Sequence, residues 1–368
     1  MPRLKNISVF QFKNYQQKDF SFPENITGIC GLNGSGKTNL LDAIYYLCFT
    51  KSYFSGTDGQ LVKKEGIGFR VSGVFFQPEN REIQVSAVLR ETGKKEIRWN
   101  GELYTRVSTH IGKLPAVVIA PDDIELITGG SEGRRKFLDA MLCQIDAAYM
   151  QHLMVYNKLL LQRNSLLKQM AENPSFSPGV LEILDGQLAD NGAAIYQKRL
   201  TEIIPFLEKA TDHYVRIAGK PDHIRLTYQS QMHAEAGNKY KEHFLKKLKD
   251  ALPRDKVLQR TTVGIHRDDL LFEMMQQPFK QTGSQGQRKS LLFALKLTEY
   301  EWLENAKGHP PLLLLDDVFE KLDDVRMENL LREVCLEKKG QVFITDTQQE
   351  RLEKNLKNIG AGYALIHL

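Results

Sequence analysis

Gly31-Leu32-Asn33-Gly34-Ser35-Gly36-Lys37-Thr38 sets glycines, a lysine and a hydroxyl in the order GxxxxGK[ST]. That order suits one kind of chemistry. The glycines let the backbone curl so that successive N–H groups face phosphate oxygens. Lys37 reaches the β- and γ-phosphates, and the Thr38 hydroxyl can ligate Mg²⁺. The sequence therefore predicts a bound nucleoside triphosphate, ATP with Mg²⁺. A second set of groups lies far downstream, where Pro311-Leu312-Leu313-Leu314-Leu315-Asp316-Asp317 reads as a short apolar strand ending in two carboxylates. Acidic side chains at the end of a buried strand are unfavourable unless cations or donors meet them. Beside a phosphate-binding loop, Asp316 would hold Mg²⁺ and Asp317 would orient the attacking water.

These groups need elements to position them. Ile26–Cys30 reads as a short buried strand leading into the loop, and Thr38–Leu47 as a helix whose N-terminus faces the anion. Residues 4–30 and 68–105 alternate in the manner of strands, with Thr92-Gly93 and Asn100-Gly101 as hairpin turns. Ala116–Ile119 is a further apolar strand stopped by Pro121. The character then changes. Tyr149, Leu153, Tyr156, Leu160, Arg163, Leu167 and Met170 step by four and three, a heptad seam interrupted by Arg163. A turn is expected over 173–178, then a second helix from about Leu181 toward Tyr214, kinked at Pro205. Charged helical sequence continues to about Asp250, and α/β character is expected to return after Pro253. The expected organisation is an N-terminal half of a nucleotide-binding head over 1–125, a helical arm over 126–253, and the other half of the head over 254–368.

Composition narrows the class. A chain of 368 residues, 42% hydrophobic, can bury a large core, and its formal charge of +5 allows a nucleic-acid partner only through local basic surface. The four cysteines form no CxxC pair and read as reduced thiols. No apolar run approaches the roughly 18 residues of a membrane span, and the N-terminus lacks the apolar core of a signal peptide. A cytoplasmic, nucleoid-associated protein without a membrane partner is the expectation.

Thr282-Gly283-Ser284-Gln285-Gly286-Gln287 precedes another helix, and from the residues alone it is either a helix cap or a second set of anion-binding donors. It resembles the Leu-Ser-Gly-Gly-Gln signature of ABC-type ATPases, whose active sites are completed by dimerisation. Further segments narrow the resemblance. Lys13-Asn14-Tyr15 comes before the loop. Gly133-Arg134-Arg135-Lys136-Phe137-Leu138-Asp139 and Gly264-Ile265-His266-Arg267-Asp268-Asp269 lie between the loop and Ser284-Gln285-Gly286-Gln287. In this order and over essentially the whole chain they closely resemble the RecF family of bacterial recombination mediators. That resemblance implies an α/β fold, an ABC/SMC-type P-loop ATPase head with an inserted all-helical domain in place of long coiled coils. It also implies slow, DNA-stimulated ATP hydrolysis in an ATP-dependent homodimer. The expected partners are single- and double-stranded DNA at gap junctions and RecR, with RecO and RecA in the pathway and a role in replication recovery and SOS induction. By matching motif, Gly31 to Thr38 and Gly286 bind nucleotide, Thr38 and Asp316 bind metal, Asp317 is the hydrolytic carboxylate, and Ser284 acts on the partner's γ-phosphate.

The sequence departs from the family pattern at Glu320-Lys321-Leu322-Asp323, Ile265, Arg288-Lys289 and Lys51-Ser52-Tyr53-Phe54. Thr345-Asp346-Thr347 carries no histidine after its strand, which favours the repair branch over the alternative, a transporter ATPase subunit. A small-molecule P-loop kinase would leave residues 282–287 without a purpose. Lys51, Arg70, Arg134, Arg135 and the lysines of 241–249 are the candidate DNA contacts. The sequence offers no physical role for His266–Asp269.

Overall fold

The computed structural model describes residues 2–76, 81–172, 178–219, 222–232, 239–318, 324–337 and 340–368. The turn expected over 173–178 and the segment Glu320–Asp323 lie outside the described residues, apart from the backbone of Pro178. Packing divides the chain into two units, one of Met1–Ile124, His213–Lys220 and Ser284–Leu368, the other of Glu125–Asp212 and Pro221–Gly283.

The first unit holds two sheets. Strands β1 (Arg3–Phe12), β2 (Tyr15–Ser21), β4 (Phe69–Phe76), β5 (Glu82–Leu89), β6 (Lys95–Trp99) and β7 (Glu102–Leu103) form an antiparallel sheet in the order β2-β1-β4-β5-β6-β7. Their alternation buries one face, with Ile83, Val85, Ala87 and Leu89 of β5 inward and Glu82 and Gln84 exposed. The β6–β7 turn follows from Asn100 and Gly101, both at positive φ (51° and 85°), as a two-residue hairpin requires.

The other sheet has the order β14-β3-β13-β12-β8 and is parallel throughout, built from β3 (Ile26–Cys30), β8 (Ala116–Ile119), β12 (Leu312–Leu315), β13 (Val342–Asp346) and β14 (Ala364–His367). Strands β3, β8, β12 and β13 are buried along their whole length, which explains why they read as continuous apolar runs rather than alternating ones. Helix α1 (Lys37–Phe49) is apolar nearly all round, and one core joins its Leu40, Ile44 and Leu47 to Val71 and Val85 of the first sheet and Leu314 and Phe343 of the second.

The second unit contains α2 (Glu125–Thr128), α3 (Ser131–Ile145), α4 (Ala147–Glu172), most of α5 (Pro178–Ala218), α6 (Tyr240–Leu258) and α7 (Phe279–Thr282). It is not all-helical. Strands β9 (Ile224–Gln229), β10 (Asp269–Met274) and β11 (Gln277–Pro278) form a three-stranded antiparallel sheet. Residues 254–283, read from sequence as head, group with this unit. One reason is that α6 does not stop at Pro253. The proline is exposed, so the carbonyl it leaves without an amide, on exposed Lys249, can be met by water. The other reason is that β10 pairs with β9 across the unit. Arg163 does not interrupt the α4 seam but sits within it, fully buried.

The chain completes the first unit with α8 (Gln285–Lys307), α9 (Asp324–Leu331) and α10 (Gln349–Asn358). Among the described residues no helix is long and apolar enough to cross a membrane.

Candidate active site

Loop 31–38 follows β3, Asp316 and Asp317 follow β12, and Thr345 lies near the end of β13, so the C-terminal edge of the parallel sheet collects them. The loop is shaped by its glycines. Gly34 and Gly36 have φ of 83° and 115°, and a Cβ on Gly36 would lie 2.6 Å from Asn14 Nδ2 and 2.8 Å from Tyr15 Oη. Those two side chains support the loop from behind. Asn14 Nδ2 donates to the Ser35 carbonyl (3.1 Å) and Tyr15 Oη–H to the Gly36 carbonyl (3.0 Å). These two hydrogen bonds hold the Ser35 and Gly36 carbonyls of the loop. Sequence reading placed Lys13-Asn14-Tyr15 in a family motif but gave it no task. The residues that separate the motif from the loop hide the contact.

Lys37 is 5% exposed, and its ammonium donates to the carbonyls of Gly31 (3.0 Å) and Leu32 (3.3 Å). No carboxylate among the described residues lies within ion-pairing distance of it. A buried ammonium met only by carbonyls is poised for an anion. Leu32, Asn33 and Gly34 are exposed.

Thr38 and Asp316 meet directly. The Thr38 hydroxyl lies 3.0 and 2.9 Å from the two carboxylate oxygens of Asp316, across 278 residues of sequence. Asp316 is 4% exposed, and burial raises its pKa above the usual carboxylate range despite hydrogen bonds from Thr345 and Thr38 that lower it. Asp317 is half-buried, with its backbone at φ 45°, a left-handed conformation uncommon outside glycine. A hydroxyl and a carboxylate are hard oxygen ligands of the type Mg²⁺ takes, so this donor set fits that ion.

Ser284 is the N-cap of α8. Its Oγ accepts from Gln287 N (3.2 Å) and the Gln287 Oε1 accepts from Ser284 N (2.8 Å), a complete capping box. The helix-cap reading of residues 282–287 is therefore met, and Ser284 and Gln285 remain exposed beside it. Among the described residues neither Ser284 nor Gly286 hydrogen-bonds to loop 31–38. Further along α8, buried Lys296 lies 3.3 Å from Tyr53 Oη and 3.7 Å from both Asp123 and Glu299. Burial pushes the Glu299 carboxyl up to about 7, Lys296 acting against it.

Two candidate DNA contacts are engaged inside the second unit. Arg134 donates to both carboxylate oxygens of Asp269 (2.7 and 3.0 Å) and to the Gly129 carbonyl (2.9 Å). Arg135 donates to the Asp268 carbonyl (2.7 Å). These contacts supply the missing account of His266–Asp269. Fully buried Arg199 donates to Asp268 (2.8 Å), Asp139 (2.8 Å), Tyr149 (3.1 Å) and the Ile265 carbonyl (2.9 Å). His266 bonds Tyr156 and the Thr261 carbonyl. The segments 133–139 and 264–269 are two halves of one polar core, and they do structural work. Lys51, Arg70, Lys246 and Lys249 remain exposed, and Lys241 pairs with Asp190 at 2.6 Å.

Residues 3–364 match the family described as RecF/RecN/SMC N terminal domain. The chain is 39% identical over 365 residues to the DNA replication and repair protein RecF of Flavobacterium johnsoniae, covering 99% of each chain. It is 38% identical to the RecF of Phocaeicola vulgatus, covering 98% of this chain and 95% of that one. A solved structure of the recombination mediator protein RecF with ATP in the RecFOR pathway superposes with a TM-score of 0.88 at 33% identity, covering 95% and 92% of the two chains. The Smc head domain of Pyrococcus furiosus, at 15% identity and a TM-score of 0.52 over 96% and 92% of the chains, shares the fold.

Proposed function

Because this chain belongs to the RecF/RecN/SMC N-terminal domain family, and within it to RecF, we propose that its two sequence halves form one ATP site that closes a homodimer on DNA. It is a recombination-mediator ATPase of DNA replication and repair. The observation that carries the proposal is the Thr38–Asp316 contact at 2.9 Å, which joins the phosphate-binding loop to the acidic strand.

In this reading the loop amides and Lys37 hold the phosphates of ATP. Thr38 and Asp316 would hold Mg²⁺, which when bound would offset negative charge on the phosphates. Asp317 accepts the hydrogen bond of the attacking water and draws its proton as the water oxygen bonds to the γ-phosphorus, while the bond from that phosphorus to the β,γ-bridging oxygen breaks and ADP leaves with its electron pair, giving phosphate. Ser284 and the amides at the start of α8, Gly286 among them, serve the γ-phosphate held by a second copy. The exposure of Ser284, capped yet turned to solvent, supports that use. Hydrolysis is slow and rises with DNA, and it opens the dimer. Exposed basic residues such as Lys51, Arg70, Lys246 and Lys249 give the DNA contacts, and binding falls with salt as counterions are released. Family membership supports single- and double-stranded DNA at gap junctions as the substrate, RecR and RecO as partners, and delivery of RecA.

Mixing two inactive proteins tests the composite site. Ser284→Arg and Lys37→Ala proteins are each expected to be inactive as homodimers. Their mixture should regain one of the two sites, where the intact loop of the Ser284→Arg chain meets the intact Ser284 of the Lys37→Ala chain. Normal hydrolysis by Ser284→Arg alone would show that Ser284 does not act across the dimer. The transporter alternative is not favoured by the relatives.

A further inference from the structure

Thr345 has no part in the sequence reading beyond marking the absence of a histidine, yet it touches both acidic residues of the site. The register of β12 and β13, Leu315 opposite Ile344, brings Thr345 beside Asp316. Thr345 is wholly buried. Its hydroxyl accepts the Asp317 backbone N–H at 2.8 Å and lies 2.8 Å from Asp316 Oδ1 and 3.5 Å from Asp317 Oδ1. A hydroxyl has one proton to give, and the shorter distance assigns it to Asp316. One side chain thus fixes a carboxylate at residue 316 and a backbone at residue 317.

The backbone it fixes is the strained one. Asp317 at φ 45° pays a conformational cost that only surrounding contacts can offset, and such outliers gather where geometry serves function. The direction of the Asp317 carboxylate is set by that backbone. We propose that Thr345 is a positioning residue for hydrolysis, holding Asp317 in its left-handed conformation and presenting the Asp316 carboxylate to Thr38. This rests on the roles given above to Asp316 and Asp317. Among the described residues the Thr345 hydroxyl bonds to the aspartates and not to loop 31–38, so it acts through the aspartates.

Thr345→Val keeps the shape of the side chain and deletes the hydroxyl. It is expected to lower kcat by about a hundredfold, the scale on which a small misplacement of a catalytic group acts. ATP affinity measured without Mg²⁺ should stay within about threefold, because the loop amides and Lys37 are untouched. Thr345→Ser, which restores the hydroxyl, should recover kcat to within about fivefold of the parent. A packing role would not give that rescue. Combining Thr345→Val with Asp317→Asn should cost clearly less than the product of the two single losses, since the part of the Thr345 effect that runs through Asp317 is already gone and only the part through Asp316 remains. If Thr345→Val is poorly folded, Thr345→Ala takes its place in both comparisons. Unchanged kcat in Thr345→Val, failed rescue by serine, or losses that multiply in the double variant would each overturn the proposal. Asp317→Asn is the control for the premise. If it turned over ATP normally, the role of Asp317 would fall, and with it the premise rather than the geometry of Thr345.

Discussion

Both units bury a basic side chain among polar groups, and they treat it differently. In the second unit, Arg199 spends its donors on two carboxylates, a phenol and a carbonyl of its own chain, and Arg163 meets Asp185 (2.6 Å), Asp255 (2.7 Å) and Thr261 (3.0 Å). In the first unit, Lys37 is buried against two carbonyls and no carboxylate, Asp316 has its pKa raised by burial, and Asp317 is strained. The first pattern is neutralised from within. In the second, Lys37 meets backbone carbonyls and acts on Asp316, whose pKa burial still holds above the usual carboxylate range. The first pattern is satisfied by the chain itself, whereas under the proposed function the second is satisfied by phosphate and a divalent ion.

The comparison can be broken most forcefully at Arg199. Arg199→Met leaves buried Asp268 and half-buried Asp139 without their shared cation and should cost about 3–5 kcal/mol of stability. Chemical denaturation would show it, while ATP affinity of the folded fraction should hardly move. A loss of ATP affinity with full stability would reverse the assignment. The mirror experiment is Lys37→Met. It should weaken ATP binding at least about a hundredfold, some 2.7 kcal/mol, and leave thermal stability unchanged or higher. Calorimetric titration and a melting curve on the same sample check both halves.

Subtler changes sharpen the contrast. Tyr15→Phe deletes one hydrogen bond behind the loop, worth about 1 kcal/mol, so ATP should bind roughly fivefold more weakly. The smallest effect concerns pH. Glu299 has a folded pKa of about 7 against an ordinary value of 4.5, so the folded state binds more protons between those values. Its contribution to stability therefore falls as pH rises from about 4.5 to about 7 and is flat beyond. Glu299→Gln removes that slope, and the difference in melting temperature between variant and parent should grow in favour of the variant across that window. A difference independent of pH would place the ionisation elsewhere.

What the sequence revealed was local or periodic. The loop from Gly31 to Thr38 is legible because its chemistry lies in eight consecutive residues, and the acidic strand because four leucines precede two aspartates. The continuous apolar runs of β3, β8 and β12 announced buried strands. The contacts that stayed hidden are created by pairing. Thr345 reaches Asp316 through strand register, and Tyr15 reaches Gly36 through a fold of the first hairpin onto the loop. Arg134 and Asp269 are 135 residues apart, so an arginine read as a DNA contact and an aspartate with no assigned role are internal partners. Strand β9 was missed because Ile224, Leu226 and Tyr228 alternate for only six residues inside charged sequence. Pro253 misled because it sits where water can meet the carbonyl it leaves free.

The most direct test of the ATP-closed dimer is the solution mass of the Asp317→Asn protein, measured with and without ATP and Mg²⁺ and again with a gapped duplex. A monomer that becomes a dimer only with ATP and Mg²⁺, and that then retains the DNA, is the predicted result. A protein that binds ATP yet stays monomeric and releases the duplex would contradict the account.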